Sequence, residues 1–459
     1  MILAWVLTPL KVFAMSLCNT VVWALALTAV ATATTEPTCA CPSSDACAPL
    51  AGPPPSREVV AYQNTNFGRV PDAWFAHYDY GALTTLISNN PLAACYAHPN
   101  GVRAVLYTLG PRPEQLTNAT ALHALAEALV ATVVAWHFDG VNVDFEWPIA
   151  AGDTAAQNGL IAFLDNVRHH LDKAAAAHSA SLRYVLSYAV AWNPAGVDGR
   201  WYDYAAVVNA CDYVVVMDYD TRSQVFGERV CTAGPNAPAS TLWEGIALYV
   251  AVLAARWGWS DAEAASRLVL GVPWYGYVYP CTPVYPSDAP AAFVPACPIA
   301  SVPFRGCNCS DAAGTQHNFS TIRAWLHGAA PPPEGYRVAA GPTEDVNASG
   351  NGLYTWVGLA RHYDDAALGA STNTTAVHQV HTAATNVAQP PTAWRHASVY
   401  YDSPAVLAAK YAAAARLRLR GVSMWNLDGL DYGDAPAARA DTAAMYGALR
   451  AYLNRSNYR

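Results

Sequence analysis

Residues 138–148 read Phe-Asp-Gly-Val-Asn-Val-Asp-Phe-Glu-Trp-Pro, an alternation of polar and apolar side chains that predicts a β-strand. Because successive side chains of a strand point to opposite faces, Asn142, Asp144 and Glu146 should share one face, with the hydrophobic residues between them on the other. The following Trp-Pro pair should end the strand, since proline cannot donate a ladder hydrogen bond. Glu146 is therefore predicted to be the last residue of the strand.

The polar face of this strand has two interpretations. It could be the solvated face of a strand in an antiparallel sheet, or it could line the inside of a parallel barrel, whose catalytic groups lie where the strands end. A solvated face tolerates any polar residue, whereas this one carries two carboxylates and their amide analogue, which favours the barrel. Because two close carboxylates in a partly apolar site do not both ionise easily, Asp144 or Glu146 is expected to hold a proton near neutral pH.

Short apolar runs separated by helical patterns recur along the chain, as in parallel strands that are covered on both faces. Strands are predicted at residues 58–62, 83–87, 102–107, 138–146, 183–191, 213–219, 267–275 and 421–426, and helices at residues 116–136, 157–178 and 404–417. Alternation of strand and helix, repeated about eight times, indicates an α/β fold, a (β/α)8 TIM barrel.

A long segment after the seventh predicted strand interrupts this alternation. Residues 278–397 contain three consecutive prolines, four cysteines and four Asn-x-Ser/Thr sequons. The segment is too long for an ordinary loop, so it is predicted to be a separate insertion at the mouth of the barrel. The catalytic domain that contains it is predicted to span residues 57–459.

The N-terminal residues predict export. Lys11 precedes an apolar run that ends in small residues, so residues 1–33 are predicted to be a cleaved signal peptide, with an uncleaved membrane anchor as the alternative. Residues 34–56 then form an arm rich in cysteine and proline. Cleavage leaves ten of the 11 cysteines, and an even number in an exported protein indicates disulfide bonds. Six sequons in the whole chain also fit passage through a glycosylating compartment.

Composition excludes several classes of protein. With 459 residues, of which 53% are hydrophobic, the chain can bury a large core and is not disordered. A formal net charge of −8 without an extended basic patch argues against a nucleic-acid partner. The cysteine spacings are not those of zinc sites, so no metal is expected. After signal cleavage the protein is expected to be a monomer that does not bind membranes.

The motif strand resembles the signature of family 18 glycoside hydrolases, the chitinases and their relatives, which runs Asp-x-x-Asp-x-Asp-x-Glu. Asp139, Asp144 and Glu146 match it. Asn142 departs from it, because most chitinases carry an aspartate there, and asparagine is a feature of the di-N-acetylchitobiase branch of the family. Residues 217–220, 271–277 and 424–426 also resemble blocks that the family places at the ends of strands six, seven and eight.

The resemblance implies a set of site residues and no cofactor. The family uses the acetamide of the sugar as the nucleophile, which assigns general-acid chemistry to Glu146, stabilisation of the acetamide to Asp144 and a hydrogen bond to Tyr219. Further substrate contacts are expected from Asn142, Asp220, Trp274, Tyr275 and Trp425, and structural support from Asp139. For Trp274 and Tyr275, packing in the core is an equally good interpretation.

The resemblance also implies a substrate and a place of action. A chito-oligosaccharide or the chitobiose core of an N-glycan is the expected substrate, cut with retention and with release of N-acetylglucosamine from the reducing end. A secreted endochitinase is the first alternative, and a lectin-like binder that has lost the acid is the second. The expected compartment is the secretory pathway, ending in a lysosome or a similar lytic compartment, with the extracellular space as the alternative.

Overall fold

A computed structural model describes residues 39, 41–63, 72–286, 297–346, 352–364 and 392–454. The predicted signal peptide and the sequons at Asn347 and Asn373 lie outside these residues. No helix in the described ranges has both the length and the apolar character that crossing a membrane requires.

Eight parallel strands close into a barrel, which confirms the predicted (β/α)8 fold. The barrel strands are β1 (Glu58–Gln63), β2 (Thr85–Ser88), β3 (Arg103–Thr108), β4 (Gly140–Val143), β5 (Val185–Ala191), β6 (Tyr213–Met217), β7 (Leu268–Pro273) and β13 (Gly421–Trp425). Each strand pairs with its neighbour in the chain, and β13 closes the ring between β7 and β1. Every predicted barrel strand is present, with ends that differ by a few residues.

Helices cover the outside of the barrel. They are α1 (Leu92–Ala97), α2 (Ala119–Ala135), α3 (Thr154–His178), α4 (Tyr204–Ala210), α5 (Ala239–Trp257), α6 (Asp261–Ala265), α8 (Pro404–Arg416) and α9 (Pro436–Leu453), whereas α7 (Phe319–Leu326) belongs to the segment after β7. Side chains cap several of them: Asn118, Asp153 and Ser403 each accept a hydrogen bond from a backbone N–H of the first turn. These bonds satisfy donors that the helix itself leaves unpaired.

The predicted alternation on the motif strand is present. Val141 and Val143 pack in the large core between barrel and helices, whereas Asn142 points into the barrel interior and donates to the Ser187 hydroxyl there. Gly140 is required at the start of the strand, because a Cβ at this position would lie 2.0 Å from the carbonyl oxygen of Val185.

The prediction that the strand continues to Glu146 is wrong, since β4 ends at Val143. Tyrosine hydroxyls from the neighbouring elements bond the next carbonyls: Tyr188 donates to that of Phe145 at 2.9 Å, and Tyr202 to that of Trp147 at 2.6 Å. These side chains replace the ladder partners that a longer strand would need. The chain therefore leaves the barrel before it reaches the glutamate.

The segment after β7 forms a second, five-stranded antiparallel sheet with one helix, α7. Its strands are β8 (Tyr275–Pro286), β9 (Thr315–Asn318), β10 (Arg337–Asp345), β11 (Tyr354–Asp364) and β12 (Thr392–Tyr401), in the spatial order β10-β11-β12-β8-β9. The sheet begins at Tyr275 and ends at Tyr401, a little outside the predicted bounds of 278–397, because β8 starts two residues after the last residue of β7.

Eight of the ten cysteines predicted to remain after cleavage form disulfides, which join Cys39 to Cys47, Cys41 to Cys95, Cys231 to Cys309 and Cys281 to Cys297. Cys211 and Cys307 are buried free thiols, so the even count did not mean complete pairing. The bond between Cys231 and Cys309 ties the loop after β6 to the segment between β8 and β9. Both of these segments contribute side chains to the mouth of the barrel.

Candidate active site

Asp144 lies just beyond the end of β4, inside the barrel mouth. Its side chain is buried, and its Oδ2 accepts a 2.6 Å hydrogen bond from the hydroxyl of Tyr107 at the end of β3. Burial, together with the charge of Glu146, raises the pKa of Asp144 to about 8, although the Tyr107 bond and Arg200 act in the opposite direction. The proton that the sequence predicted for this pair of carboxyls is therefore held by Asp144 at neutral pH.

Asn142 lies one layer deeper in the barrel. Its side-chain oxygen accepts a 3.3 Å hydrogen bond from the Tyr62 hydroxyl, and its amide donates to the Ser187 hydroxyl at 2.9 Å. The residue has no exposed surface. A direct contact with substrate is therefore not compatible with this position, and the expected role is corrected to support of the residues above it.

Glu146 is at the rim of the mouth, where its side chain is half exposed. Its Oε2 accepts a 2.6 Å hydrogen bond from Nη1 of Arg200, whose Nη2 donates to Asp198, also at 2.6 Å. Sequence reasoning missed Arg200 and Asp198, because both lie in the loop after β5, outside every motif quoted above. Only the barrel topology, which puts neighbouring strand ends side by side, could have identified them.

A group of tyrosines and carboxyls lies at the ends of β6 and β7. Asp220 accepts hydrogen bonds from the hydroxyls of Tyr275 at 2.6 Å and Tyr277 at 3.0 Å. Burial raises the pKa of Asp220 to about 6 against the effect of these two bonds. The ring of Tyr219 packs edge-on against that of Tyr275. Burial, and after it the charges of neighbours that include Asp144, raise the pKa of Tyr219. These predicted residues therefore do come together.

Asp311 joins this group from the insertion, and sequence reasoning did not identify it as a site residue. Its Oδ2 lies 3.4 Å from the hydroxyl of Tyr277, and its backbone N–H donates to the carbonyl of Arg222. Burial and the nearby Asp220 and Asp198 raise the pKa of Asp311 to about 7. The mouth thus carries several carboxyls that resist ionising together.

The two predicted tryptophans have different environments. Trp425, the last residue of β13, packs in the mouth against Tyr62 and Tyr107, with ring centroids 5.3 and 6.4 Å apart. Trp274 is completely buried in the core outside the barrel and packs edge-on against Tyr446 of α9. Core packing therefore describes Trp274, and its expected contact with substrate is withdrawn.

Asp139 connects three parts of the chain below the site. Its Oδ1 accepts from the backbone N–H of Leu50, in the N-terminal arm, while Oδ2 accepts from the backbone N–H of Ala104 and lies 2.8 Å from Nε2 of His98. Burial acts to lower the pKa of His98, but the hydrogen bond to Asp139, the charge of Asp139 and the bond to the Ala46 carbonyl together outweigh it, so the pKa is raised. This geometry fits the supporting role expected of Asp139.

One cluster among the described residues has a spacing that could hold a metal ion, formed by Cys39, Cys41 and Cys47. Each of these three sulfurs takes part in a disulfide bond, so none is available as a thiolate ligand. The chemistry that the mouth itself offers is that of carboxyl and phenol groups: proton transfer, hydrogen bonding and stabilisation of positive charge.

Comparison with known proteins identifies the family. Residues 114–429 match the profile of the glycosyl hydrolases family 18. The chain is 32% identical to a probable di-N-acetylchitobiase 2 of Dictyostelium discoideum, over 91% of each chain, and 30% identical to the di-N-acetylchitobiase of Rattus norvegicus, over 82% of this chain and 84% of that one. Its fold is similar to that of a chitinase from Cycas revoluta crystallised with (GlcNAc)3, with a TM-score of 0.55 at 15% identity over 86% of this chain and 100% of that one. The chain belongs to family 18 of the glycosyl hydrolases and is a glycosidase.

Proposed function

We propose that this glycosidase hydrolyses β-1,4-linked N-acetylglucosamine with retention of configuration, using the acetamide of its substrate as the nucleophile. The observation that carries the proposal is the pair formed by Asp144 and Glu146. The first carboxyl is buried and protonated, and the second is half exposed at the rim, where a glycosidic oxygen can reach it. Unequal environments of this kind give two carboxyls different roles.

In the first step, the proton held by Asp144 passes to Glu146, which donates it to the glycosidic oxygen, and the bond from that oxygen to the anomeric carbon breaks. The acetamide carbonyl oxygen forms a new bond to the same carbon, which gives a cyclic oxazolinium ion. Asp144, left as a carboxylate, accepts a hydrogen bond from the acetamide N–H. Tyr219 and Asp220, at the end of β6, are the residues proposed to orient the acetamide, and Trp425 is proposed to provide an apolar floor for the sugar ring.

In the second step, water attacks the anomeric carbon from the side that the leaving group vacated. Glu146 accepts a proton from that water, the oxazolinium ring opens, and the acetamide carbonyl is restored. Two displacements at one carbon leave its configuration unchanged. The protein supplies no covalent nucleophile in either step.

The substrate proposed is a short oligosaccharide, such as the chitobiose core that remains when N-glycans are degraded. The relatives named di-N-acetylchitobiase span nearly the whole chain, which supports this choice. Such cleavage needs a wall close to the leaving-group side of the site. The segment that carries Asp311, fastened to the loop after β6 by the disulfide between Cys231 and Cys309, is the proposed wall.

A secreted endochitinase is the second candidate, and one observation favours it. Trp147 and Trp201, which adjoin Glu146 and Arg200 in the chain, are 49% and 44% exposed. Exposed aromatic rings beside the acid could support further sugars of a polymer. The lectin-like alternative is disfavoured because Glu146 is retained.

Chitotetraose labelled at its reducing end distinguishes these candidates. Labelled monosaccharide should appear first while unlabelled trisaccharide accumulates. Early labelled disaccharide would instead identify an endochitinase, and binding without any product would identify a lectin. The proposed place of action is the secretory pathway, ending in a lytic compartment or outside the cell.

A further inference from the structure

Arg200 links the general acid to a neighbouring loop. One guanidinium nitrogen donates to Oε2 of Glu146 and another to Oδ2 of Asp198, both at 2.6 Å. The side chain of Arg200 is 9% exposed, whereas that of Glu146 is 49% exposed. A buried, planar guanidinium therefore fixes the end of a side chain that has few other constraints.

Asp198, the second partner of Arg200, is itself held by hydrogen bonds. Oδ1 of Asp198 accepts a 2.8 Å hydrogen bond from the Ser223 hydroxyl, and the backbone N–H of Asp198 donates to the side chain of Gln224 at 2.7 Å. The carbonyl of Arg200 accepts from the hydroxyl of Tyr204. The loops after β5 and β6 thus hold the arginine in place, so the position of the acid depends on both.

Such an anchor matters for a general acid. Proton donation requires the carboxyl to lie within hydrogen-bond reach of the glycosidic oxygen, and a displacement of about 1 Å can cost about 100-fold in rate. A half-exposed glutamate without a partner would lose rotamer freedom each time it reached that position.

We propose that Arg200 is a positioning residue for Glu146, holding its carboxyl at the rim so that it meets the glycosidic oxygen when a substrate binds. This inference rests on the proposed function. It predicts that the loss of Arg200 slows both steps that use Glu146, and that kcat/KM, which reports the first step, falls most for substrates whose leaving group needs a proton. For a substrate whose leaving group departs without protonation, kcat/KM should then change little when Arg200 is substituted.

The test compares kcat/KM on chitotriose, whose leaving sugar needs a proton, with that on 4-nitrophenyl N,N′-diacetylchitobioside, whose phenolate does not. Arg200→Met should lose about 100-fold on chitotriose and only a few-fold on the nitrophenyl substrate. Arg200→Lys keeps the positive charge but cannot bond Glu146 and Asp198 through two nitrogens of one planar group. Its losses of kcat/KM on the two substrates should differ in the same direction but by less. Equal losses on both substrates, or no loss, would overturn the inference.

Arg168→Met is the matched control. Arg168 also bridges two carboxylates, those of Asp172 and Asp212, but it does so on α3, outside the barrel mouth. Its removal should lower the melting temperature without separating the two substrates. If Arg200→Met does not fold, Arg200→Lys decides the question. Wild-type enzyme inactive on both substrates would overturn the proposed function itself, whereas active wild type with parallel losses in the Arg200 variants overturns only this inference.

Discussion

The two oxygens of Asp144 have different environments: Oδ2 accepts the Tyr107 hydroxyl at 2.6 Å, whereas Oδ1 is buried without a partner among the described residues. A buried carboxyl oxygen without a hydrogen-bond partner is costly in a folded protein unless a bound molecule satisfies it. In the proposed mechanism Oδ1 accepts a hydrogen bond from the acetamide N–H once Asp144 has given up its proton. Tyr107 then holds the carboxyl so that this oxygen faces the sugar.

Tyr107→Phe should shift the pH profile and slow the reaction. The hydroxyl stabilises the ionised form of Asp144, so its loss raises the pKa of Asp144, and the alkaline limb of kcat/KM should move to higher pH. We expect kcat to fall about tenfold or more, since a hydrogen bond to a charged group contributes about 1.5–3 kcal/mol. Tyr78→Phe, which removes a tyrosine bond to Asp428, is the control and should leave the limb in place. An unchanged limb in Tyr107→Phe would contradict this role.

Asp144→Asn should make the protein relatively more stable as pH rises. The folded-state pKa of about 8 is above the value of about 3.9 for an unfolded chain, so the folded state binds more protons between these values and loses stability as pH increases through them. The variant lacks this penalty, which is at most about 1.4 kcal/mol per pH unit. Urea unfolding at pH 4 and pH 8 measures the difference. The exposed Asp172→Asn is the control, and parallel curves for wild type and Asp144→Asn would refute the assignment.

Lys410 of α8 should be important for stability rather than catalysis. Its ammonium is fully buried and donates to Asp402 at 2.6 Å and to the carbonyl of Ala237 at 2.8 Å. Burial raises the pKa of Asp218, and the charge of Lys410 opposes that rise. Lys410→Met should cost about 3–5 kcal/mol in free energy of unfolding, because it leaves a buried carboxylate uncompensated. Adding Asp402→Leu should recover part of this loss. A cost below about 1 kcal/mol for the single variant would show that the carboxyls there are already neutral.

A thiazoline analogue of the oxazolinium ion should inhibit competitively and far more tightly than N-acetylglucosamine, because it resembles the intermediate. Asp144→Asn should weaken this inhibition, since the amide no longer offers a negative charge to the ring nitrogen. Inhibition constants from initial rates provide the measurement. A thiazoline no tighter than the free sugar would mean that the acetamide is not the nucleophile.

The sequence predicted the barrel well because its signal is local. Alternation on β4, with valines facing the helices and Asn142 facing inward, follows from the two-residue period of a strand. The family signature then identified Asp144 and Glu146. The predicted end of β4 lies three residues beyond the observed end at Val143. The tyrosines whose hydroxyls donate to the carbonyls after the strand come from distant parts of the chain, so the sequence of the strand does not reveal them.

The missed parts of the site depend on contacts between distant segments. The sequence assigned no role to Arg200 or Asp311, and they reach the mouth only because strand ends and a disulfide bring their loops together. Trp274 shows the converse error. Its position beside a family block suggested a sugar contact, but the direction of its side chain after β7 is set by packing against α9.

Glu146→Gln tests whether Glu146 is the general acid, because glutamine keeps the shape of the side chain but cannot give up a proton. Rates on chitotriose and calorimetric binding of the same sugar are to be measured on one preparation, with the exposed Glu263→Gln as the control. We expect kcat of Glu146→Gln to fall by about 10²–10⁴-fold with binding retained, and the kinetics of the control to stay unchanged. Turnover by Glu146→Gln within a few-fold of the wild-type rate would contradict this role of Glu146.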